Sequence, residues 1–219
     1  MAKIFIVDLH IHTSLSSFCS DLSTEDMFAE AKRLGLDAVA VTEHSTFHGA
    51  RVACDAGLEK GFPVFKGVEV YTTGGDMLVF GVETEIWPDM DFEELLQAVL
   101  ESGGLIIAAH PTRGYWGHHR RYKGFPPREV LELVHAVETL NGGCSYQENV
   151  QATRLAAELG LPQVGGSDAH SISQIGRCVT VFPRAIQGDD DLKRMIGEGN
   201  CTAAYLQDIL TVPDTAIRI

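Results

Sequence analysis

The chain has 219 residues, 45% of them hydrophobic, with 30 acidic against 17 basic side chains and a formal net charge of −13. That length suits one sizeable domain, and no apolar run is long enough to span a bilayer. The acidic balance repels a long phosphate backbone, so neither extended nucleic-acid binding nor a membrane partner is expected, whereas a small anion can still be held at a local cationic site.

The five cysteines (Cys19, Cys54, Cys144, Cys178 and Cys201) are odd in number and form no C-x-x-C pair. This favours a reducing compartment over a disulfide framework. No secretory pattern follows Met1, so a cytoplasmic location is expected.

Ile4-Phe5-Ile6-Val7 reads as a short buried strand. Asp8, His10 and His12 then fall on alternate positions, and alternate side chains of an extended backbone point the same way. His10 and His12 can therefore share one metal. Ser23-Thr24-Glu25-Asp26 reads as an N-cap with acids in the first turn, opening a helix that ends at Gly35. Residues 38–41 form a second buried strand that runs into Thr42-Glu43-His44. A helix over about 49–60 stops at Gly61. Residues 64–68 form a third strand, ending at Glu69. Thr73-Gly74-Gly75 is a turn signal, and the apolar run 77–82 beyond it suits an antiparallel hairpin with the third strand. Asp91-Phe92-Glu93-Glu94 resembles a capping box at the head of a helix that stops near Gly103-Gly104.

Residues 105–109 are a clear buried strand, ending at His110-Pro111. A basic, aromatic loop follows over 112–125, and Pro127 starts a short helix. Residues 136–140 are strand-like and run into Asn141-Gly142-Gly143. A helix over 148–159 is closed by Gly160, and a short strand over 161–166 ends at Ser167-Asp168-Ala169-His170. A strand over 178–182, a helix over 190–196 and a last strand over 201–206 complete the reading. The tail after Leu210 carries no clear signal. Alternating strands and helices of this kind indicate βα units around a largely parallel sheet.

The metal-capable side chains collect at strand ends. His10 and His12 follow the first strand, His44 the second, Glu69 ends the third, and His110, Asp168 and His170 follow later ones. In a parallel barrel all strand C-termini open on one face, which holds the active site. Seven potential ligands would then meet at one mouth. A mixed His, Asp and Glu set without cysteine pairs suits several divalent ions rather than one closed structural zinc. Glu69 is the candidate bridge between ions.

At these positions the sequence resembles the PHP (polymerase and histidinol phosphatase) family of metal-dependent phosphoesterases. The matching stretches are Asp8-Leu9-His10-Ile11-His12-Thr13, Thr42-Glu43-His44, Gly67-Val68-Glu69, Ala109-His110-Pro111 and Gly166-Ser167-Asp168-Ala169-His170. They occur in the family's order and span nearly the whole chain. The resemblance implies an α/β fold, a distorted seven-stranded βα (TIM-like) barrel of the PHP type, as one domain over residues 1–219. It implies two or three divalent ions (zinc, manganese or iron) and hydrolysis of a phosphate ester by a metal-bound hydroxide. The expected ligands are His10, His12, Asp21, His44, Glu69, His110, Asp168 and His170. Glu69, Asp168, His170 and Glu43 are expected to take part in catalysis.

Three departures from the family pattern stand out. Glu43 replaces the usual Asp of Thr-Asp-His, with an expected role in orienting a ligand or accepting a proton. The turn after the H-x-H is longer than usual, which leaves Asp21 or Cys19 as alternatives for a ligand there. Beyond the strand that ends at Glu138, where a ligand is often supplied, Glu138, Asn141 and Cys144 are all open. The expected substrate is a small phosphate ester or the end of a nucleotide or oligonucleotide. Arg113 and Arg177 are the candidate phosphate clamps, and Asn141 is a further substrate contact. His118, His119, Arg120, Arg121 and Lys123 extend the cationic patch, while Tyr115 and Trp116 suit stacking. His48 and His135 read as ordinary histidines. Two rival readings are a barrel metallohydrolase acting on amides and a non-catalytic, metal-stabilised module associated with a polymerase. Against the first, no lysine ends a strand; Lys66 lies inside one.

Overall fold

The computed structural model describes residues 3–84, 86–114 and 126–211. Within them the strands are β1 (Phe5–Ile11), β2 (Ala38–His44), β3 (Val64–Thr72), β4 (Gly75–Phe80), β5 (Leu105–Ala108), β6 (Ala136–Asn141), β7 (Gln163–Gly166), β8 (Cys178–Phe182) and β9 (Thr202–Tyr205). The helices are α1 (Thr24–Arg33), α2 (His48–Lys60), α3 (Phe92–Ser102), α4 (Arg128–Leu131), α5 (Tyr146–Leu159), α6 (Asp189–Gly197) and α7 (Leu206–Thr211). No helix among the described residues is long and apolar enough to cross a membrane.

All nine strands lie in one sheet, in the order β7-β6-β5-β4-β3-β2-β1-β8-β9. β1, β2 and β3 are parallel, β4 runs antiparallel between β3 and β5, and β5, β6 and β7 are again parallel. β8 is antiparallel to β1, and β9 to β8. The sheet rolls up so that β1 meets the end of β7. Ile11 bridges to Ala169 in the parallel sense, and the His12 N–H donates to the Ala169 carbonyl at 2.9 Å. Lower down, β8 enters the gap: the Thr180 hydroxyl donates to the Gly165 carbonyl and accepts from its N–H, both at 2.9 Å. The result is a nearly closed α/β barrel of mixed strands. β1 to β7 make its wall, and β8 and β9 extend the sheet beyond β1.

The inner face is identifiable because strands from all round the sheet share it. Val7, Leu9, Ala38, Ala40, Phe65, Leu78, Phe80, Ile107, Ala136, Val164 and Phe182 form one buried cluster, joined by Leu192, Met195 and Ile196 of α6. The opposite face of β1 and β2 packs on α1 and α2 through Met27, Phe28, Ala31, Ala50 and Ala53. That of β3, β4 and β5 packs on α3 through Phe92, Leu95 and Val99. Each helix thus buries an apolar stripe on the wall, which is where most of its stability comes from.

Local signals behave unevenly. The Ser23 hydroxyl accepts from the Asp26 N–H at 3.1 Å, as an N-cap should. Asp91 makes no such bond; instead the Phe92 N–H is taken by the Thr73 hydroxyl at 3.0 Å. The capping box at Asp91 is therefore not formed. One does form at Ser145 and Glu148, starting α5 at Tyr146, two residues before the expected 148. α7 takes Leu206 from the end of the strand expected over 201–206 and runs to Thr211, and its Leu206 is buried in the cluster that also holds residues of α1 and α2.

Candidate metal centre

The seven strand-end side chains do meet at one mouth. His10 and His12 come from the end of β1, His44 is the last residue of β2, and Glu69 lies within β3. His110 follows β5, while Asp168 and His170 follow β7. Four sets of donor atoms lie within 4.8 Å of one another: His10, His12 and Glu69; His10, His110 and Asp168; His12, His44 and His170; and Glu69, Asp76 and His110. Glu69 stands among them. One of its oxygens is 2.8 Å from His110 Nε2 and 3.6 Å from His10 Nε2, and the other is 2.9 Å from His44 Nδ1 and 3.4 Å from His12 Nε2. Asp168 Oδ1 is 3.5 and 3.3 Å from the Nε2 atoms of His10 and His12.

The hydrogen-bond network fixes which way these imidazoles point their lone pairs. His10 Nδ1 is 2.9 Å from the buried Glu138 carboxylate, which only accepts, so Nδ1 carries the proton and Nε2 the lone pair. Glu43 is buried and accepts the hydroxyl protons of Thr13 and Ser17. The Ser17 oxygen is then an acceptor for His12 Nδ1, 3.3 Å away, which leaves the His12 Nε2 lone pair facing inward. His170 Nδ1 donates to the Asp168 carbonyl at 2.9 Å, again freeing Nε2. The two Nε2 atoms of His10 and His12 lie 3.0 Å apart with carboxylates on either side. Lone pairs and carboxylates so close, and buried, demand a cation between them. The donor set fits divalent metal.

The electrostatics agree. Burial, helped by the neighbouring His10 charge and opposed by Asp168 and Glu69, holds the His12 imidazole neutral, down to about 4, the form a metal requires. Burial also opposes charge on His10, but the carboxylates of Glu138, Asp168 and Glu69 outweigh it and raise its affinity for a proton. Burial would raise both Glu69 and Asp168; the His10 charge, with further hydrogen bonds, instead keeps each well below the usual carboxylate range. This pocket stabilises positive charge strongly, and a metal ion can take the proton's place.

Two of the site residues hold a left-handed backbone that non-glycine residues seldom adopt: His110 at φ 32° and Asp168 at φ 53°. Such strain concentrates at functional sites. At His110 it is supported by the N–H donating to Glu138 Oε2 at 2.9 Å.

Glu43 does not enter the donor sets. It sits behind them, buried, holding the Thr13–Ser17 turn and through Ser17 the ring of His12. Gly49 permits this, since a Cβ there would lie 2.4 Å from the Glu43 carboxylate. Glu138 likewise sits behind His10 and His110. Its Oε2 also accepts from Asn141 Nδ2 at 2.9 Å. Asn141 Oδ1 in turn accepts from Arg113 Nη2 at 2.6 Å, so Asn141 is buried behind Arg113. Arg113 pairs with Asp168 and donates through Nε to Cys144 at 3.4 Å.

Three expectations need correction or qualification. Asp21 is exposed and joins no donor set among the described residues; its backbone N–H donates to the His170 carbonyl at 3.1 Å. The turn over 17–20 brings Cys19 round instead, its Sγ 3.2 Å from His44 Nε2. Arg177 is an exposed residue whose Cβ lies beside Gly142. Asp8, the first member of the alternating set, also serves elsewhere: a register shift after it turns β1, and its carboxylate accepts the N–H groups of Ser167 at 2.8 Å and Gly176 at 2.9 Å, tying β1 to the segment after β7. His118, His119, Arg120, Arg121, Lys123, Tyr115 and Trp116 lie outside the described residues. Asp76 was missed altogether. A reading that looks for ligands after strands overlooks a residue near the start of one, and only the antiparallel hairpin at Thr73-Gly74-Gly75 pointed to it.

Comparison with known proteins agrees with this geometry. The chain is 29% identical over 194 residues to an uncharacterized Methanocaldococcus jannaschii protein, MJ0417, covering 85% of this chain and 74% of that one. Its fold matches PsfC from Pseudomonas syringae (TM-score 0.70, 23% identity, 94% of this chain and 92% of that chain). It also matches a two-domain Bacteroides vulgatus protein described as containing a predicted PHP-like metal-dependent phosphoesterase (TM-score 0.73, 17% identity). That match covers 93% of this chain, which spans 65% of the larger one. Both structural likenesses are likenesses of fold. The PHP domain profile matches residues 8–148, from the first strand's acid to the start of α5, and the PHP-associated profile matches 147–201. With the strand-end donors inside those limits, this chain belongs to the PHP domain family.

Proposed function

We propose that the chain is a metal-dependent phosphoesterase acting on a small phosphate ester or on the end of a nucleotide or oligonucleotide. The observation that carries this is the buried meeting of the His10 and His12 lone pairs, 3.0 Å apart, with Glu69 and Asp168. When bound there, divalent ions supply a Lewis acid for a phosphoryl oxygen and a nucleophile that is strong at neutral pH. His10, His12 and Asp168 would hold one ion, Glu69 and His110 a second, and His44 and His170 a third, with Cys19 beside His44. Glu138 and the Glu43–Ser17 pair fix the ring tautomers.

Arg113 has a double role in this reading. It balances the charge of Asp168, and the guanidinium, a quarter exposed, turns its remaining N–H groups toward a substrate phosphate oxygen. Its charge is secure, because the Asp168 carboxylate outweighs burial and raises its pKa further.

The test is a panel of phosphomonoesters, phosphodiesters and amides, run on protein whose metals are quantified. Hydrolysis of a phosphoester, abolished by a chelator and restored by a divalent ion, is expected; amide turnover alone would overturn the reading. In the same panel Arg113→Ala should lower kcat/KM about ten- to a hundredfold, the worth of a charge-assisted contact of roughly 1.5–3 kcal/mol. Arg113→Lys should recover only part, because a point charge lacks the guanidinium fork.

A further inference from the structure

We propose that Asp76 is a ligand of the ion that Glu69 and His110 share, so that this chain completes its second metal position from the start of an antiparallel strand. The inference rests on the metal reading above and assigns one more residue to it.

The placement follows from topology. Every parallel strand brings its C-terminal end to the mouth, so a strand running the other way brings its N-terminal end there. β4 is that strand, and Asp76 is its second residue. The Asp76 carbonyl accepts from the Ala109 N–H at 2.9 Å, which seats it beside His110. Its carboxylate Oδ2 is 3.9 Å from His110 Nδ1, and Glu69 Oε1 is 2.8 Å from His110 Nε2. One donor from each of the three residues lies within 4.8 Å of the other two. Ligands with metal bonds of about 2.0–2.2 Å around a tetrahedral ion stand roughly 3.4 Å apart. From separations within 4.8 Å, the donors close on one ion by about 1.4 Å at most, which a side-chain rotation of Asp76 can supply.

Among the described residues, the other side of His110 offers no equivalent ligand. Both Glu138 oxygens are occupied, by His10 and by the His110 and Asn141 N–H groups. Asn141 Oδ1 and Cys144 Sγ both accept from Arg113. A divalent ion on that side would face a guanidinium. Arg113 also offsets the charge of Asp168, so Glu69 is the carboxylate that Asp76 would join at this ion. A carboxylate on the β4 side supplies a hard oxygen and the charge a second divalent ion needs. The Asp76 side chain is 36% exposed, so it can reach the ion from the open side.

The experiment compares metal content and affinity in the wild type, Asp76→Ala, Asp76→Asn and Asp76→Glu, using elemental analysis and titration with Mn²⁺ and Co²⁺ alone. Melting curves of the metal-free proteins serve as the fold control. The wild type is expected to bind at least two equivalents. The Ala and Asn variants should lose one equivalent, or bind it about a hundredfold more weakly, while the ion at His10, His12 and Asp168 stays; loss of a supporting residue alone costs ten- to a hundredfold. The Glu variant should restore part of the affinity. If the Ala variant fails to fold, the nearly isosteric Asn variant decides. Unchanged stoichiometry and affinity in the Asn variant overturn this inference and leave the phosphoesterase reading standing. A wild type that takes up no divalent ion overturns both.

Discussion

Replacing His12 by alanine should release bound metal and lower kcat/KM for a phosphoester by about a thousandfold or more. The magnitude follows from the several kcal/mol that metal ions supply to phosphoryl transfer, at about 1.4 kcal/mol per tenfold. His12, like His10, Glu69 and His110, belongs to two donor sets among the described residues, in its case with His10 and Glu69 and with His44 and His170, so its loss disturbs two ion positions at once. Its neutral imidazole is ready for metal, with burial holding it near 4. Asp168→Ala should do comparable damage for a different reason, since it also strands the Arg113 guanidinium beside the mouth. Neither change removes a strand: β1 is paired on both sides by β2 and β8. The metal-free variants should therefore melt cooperatively, near the metal-free wild type. Added metal should raise the wild-type melting temperature by mass action and leave that of His12→Ala almost unmoved. A His12→Ala protein with wild-type metal content and rate would remove His12 from the site.

Much of this architecture is legible in the chain because its strands are buried on both faces. Residues such as 38–41 and 105–108 are unbroken apolar runs, and a run of that kind between a helix stop and a polar cluster has few other readings. The histidines were legible for the same reason, since each follows such a run. What failed depended on through-space partners. Asp91 has the sequence of a cap, yet its side chain makes no capping bond, and the first N–H of the helix, that of Phe92, is held by the Thr73 hydroxyl, 18 positions before Asp91. α7 starts directly after β9 with no cap or breaker, and its anchor, Leu206, is buried beside Gly176 in the cluster that also holds residues of α1 and α2. Cys19 and Asp21 are two residues apart. The turn closed by the Ser17 N–H to the Thr13 carbonyl (3.1 Å) and the Ser20 N–H to the Ser17 carbonyl (2.9 Å) decides which of them reaches His44. Spacing alone does not carry that information. Glu138 showed a similar limit: its position after β6 residues suggested a ligand, whereas its oxygens support two ligands from behind.

Glu138→Gln should fold almost normally and yet lose metal, while Glu138→Ala should lose both stability and metal. In the wild type, Glu138 Oε2 accepts two donors whose orientation is fixed. One is the backbone N–H of His110; the other is Asn141 Nδ2, whose amide cannot turn over because Oδ1 is held by Arg113 and by the Gly143 N–H at 2.8 Å. A glutamine must therefore place its oxygen at that point. Its NH₂ group then faces His10 Nδ1, where a carboxylate had accepted a proton. Two donors cannot meet, so His10 must shift its proton to Nε2. That proton points into the 3.0 Å gap toward His12 Nε2, where the imidazole needs a free lone pair to bind the metal. Metal affinity should fall by about ten- to a hundredfold or more, as when the partner of a ligating histidine is lost. The glutamine fills the same volume and satisfies the same buried N–H groups, so the metal-free melting temperature should move little. Alanine instead leaves the three buried donors bare, at about 1–3 kcal/mol each. Metal titration and melting curves on both variants separate the two effects. Wild-type metal affinity in Glu138→Gln would mean that His10 does not bind through Nε2, and the lone-pair argument for the site would fail with it.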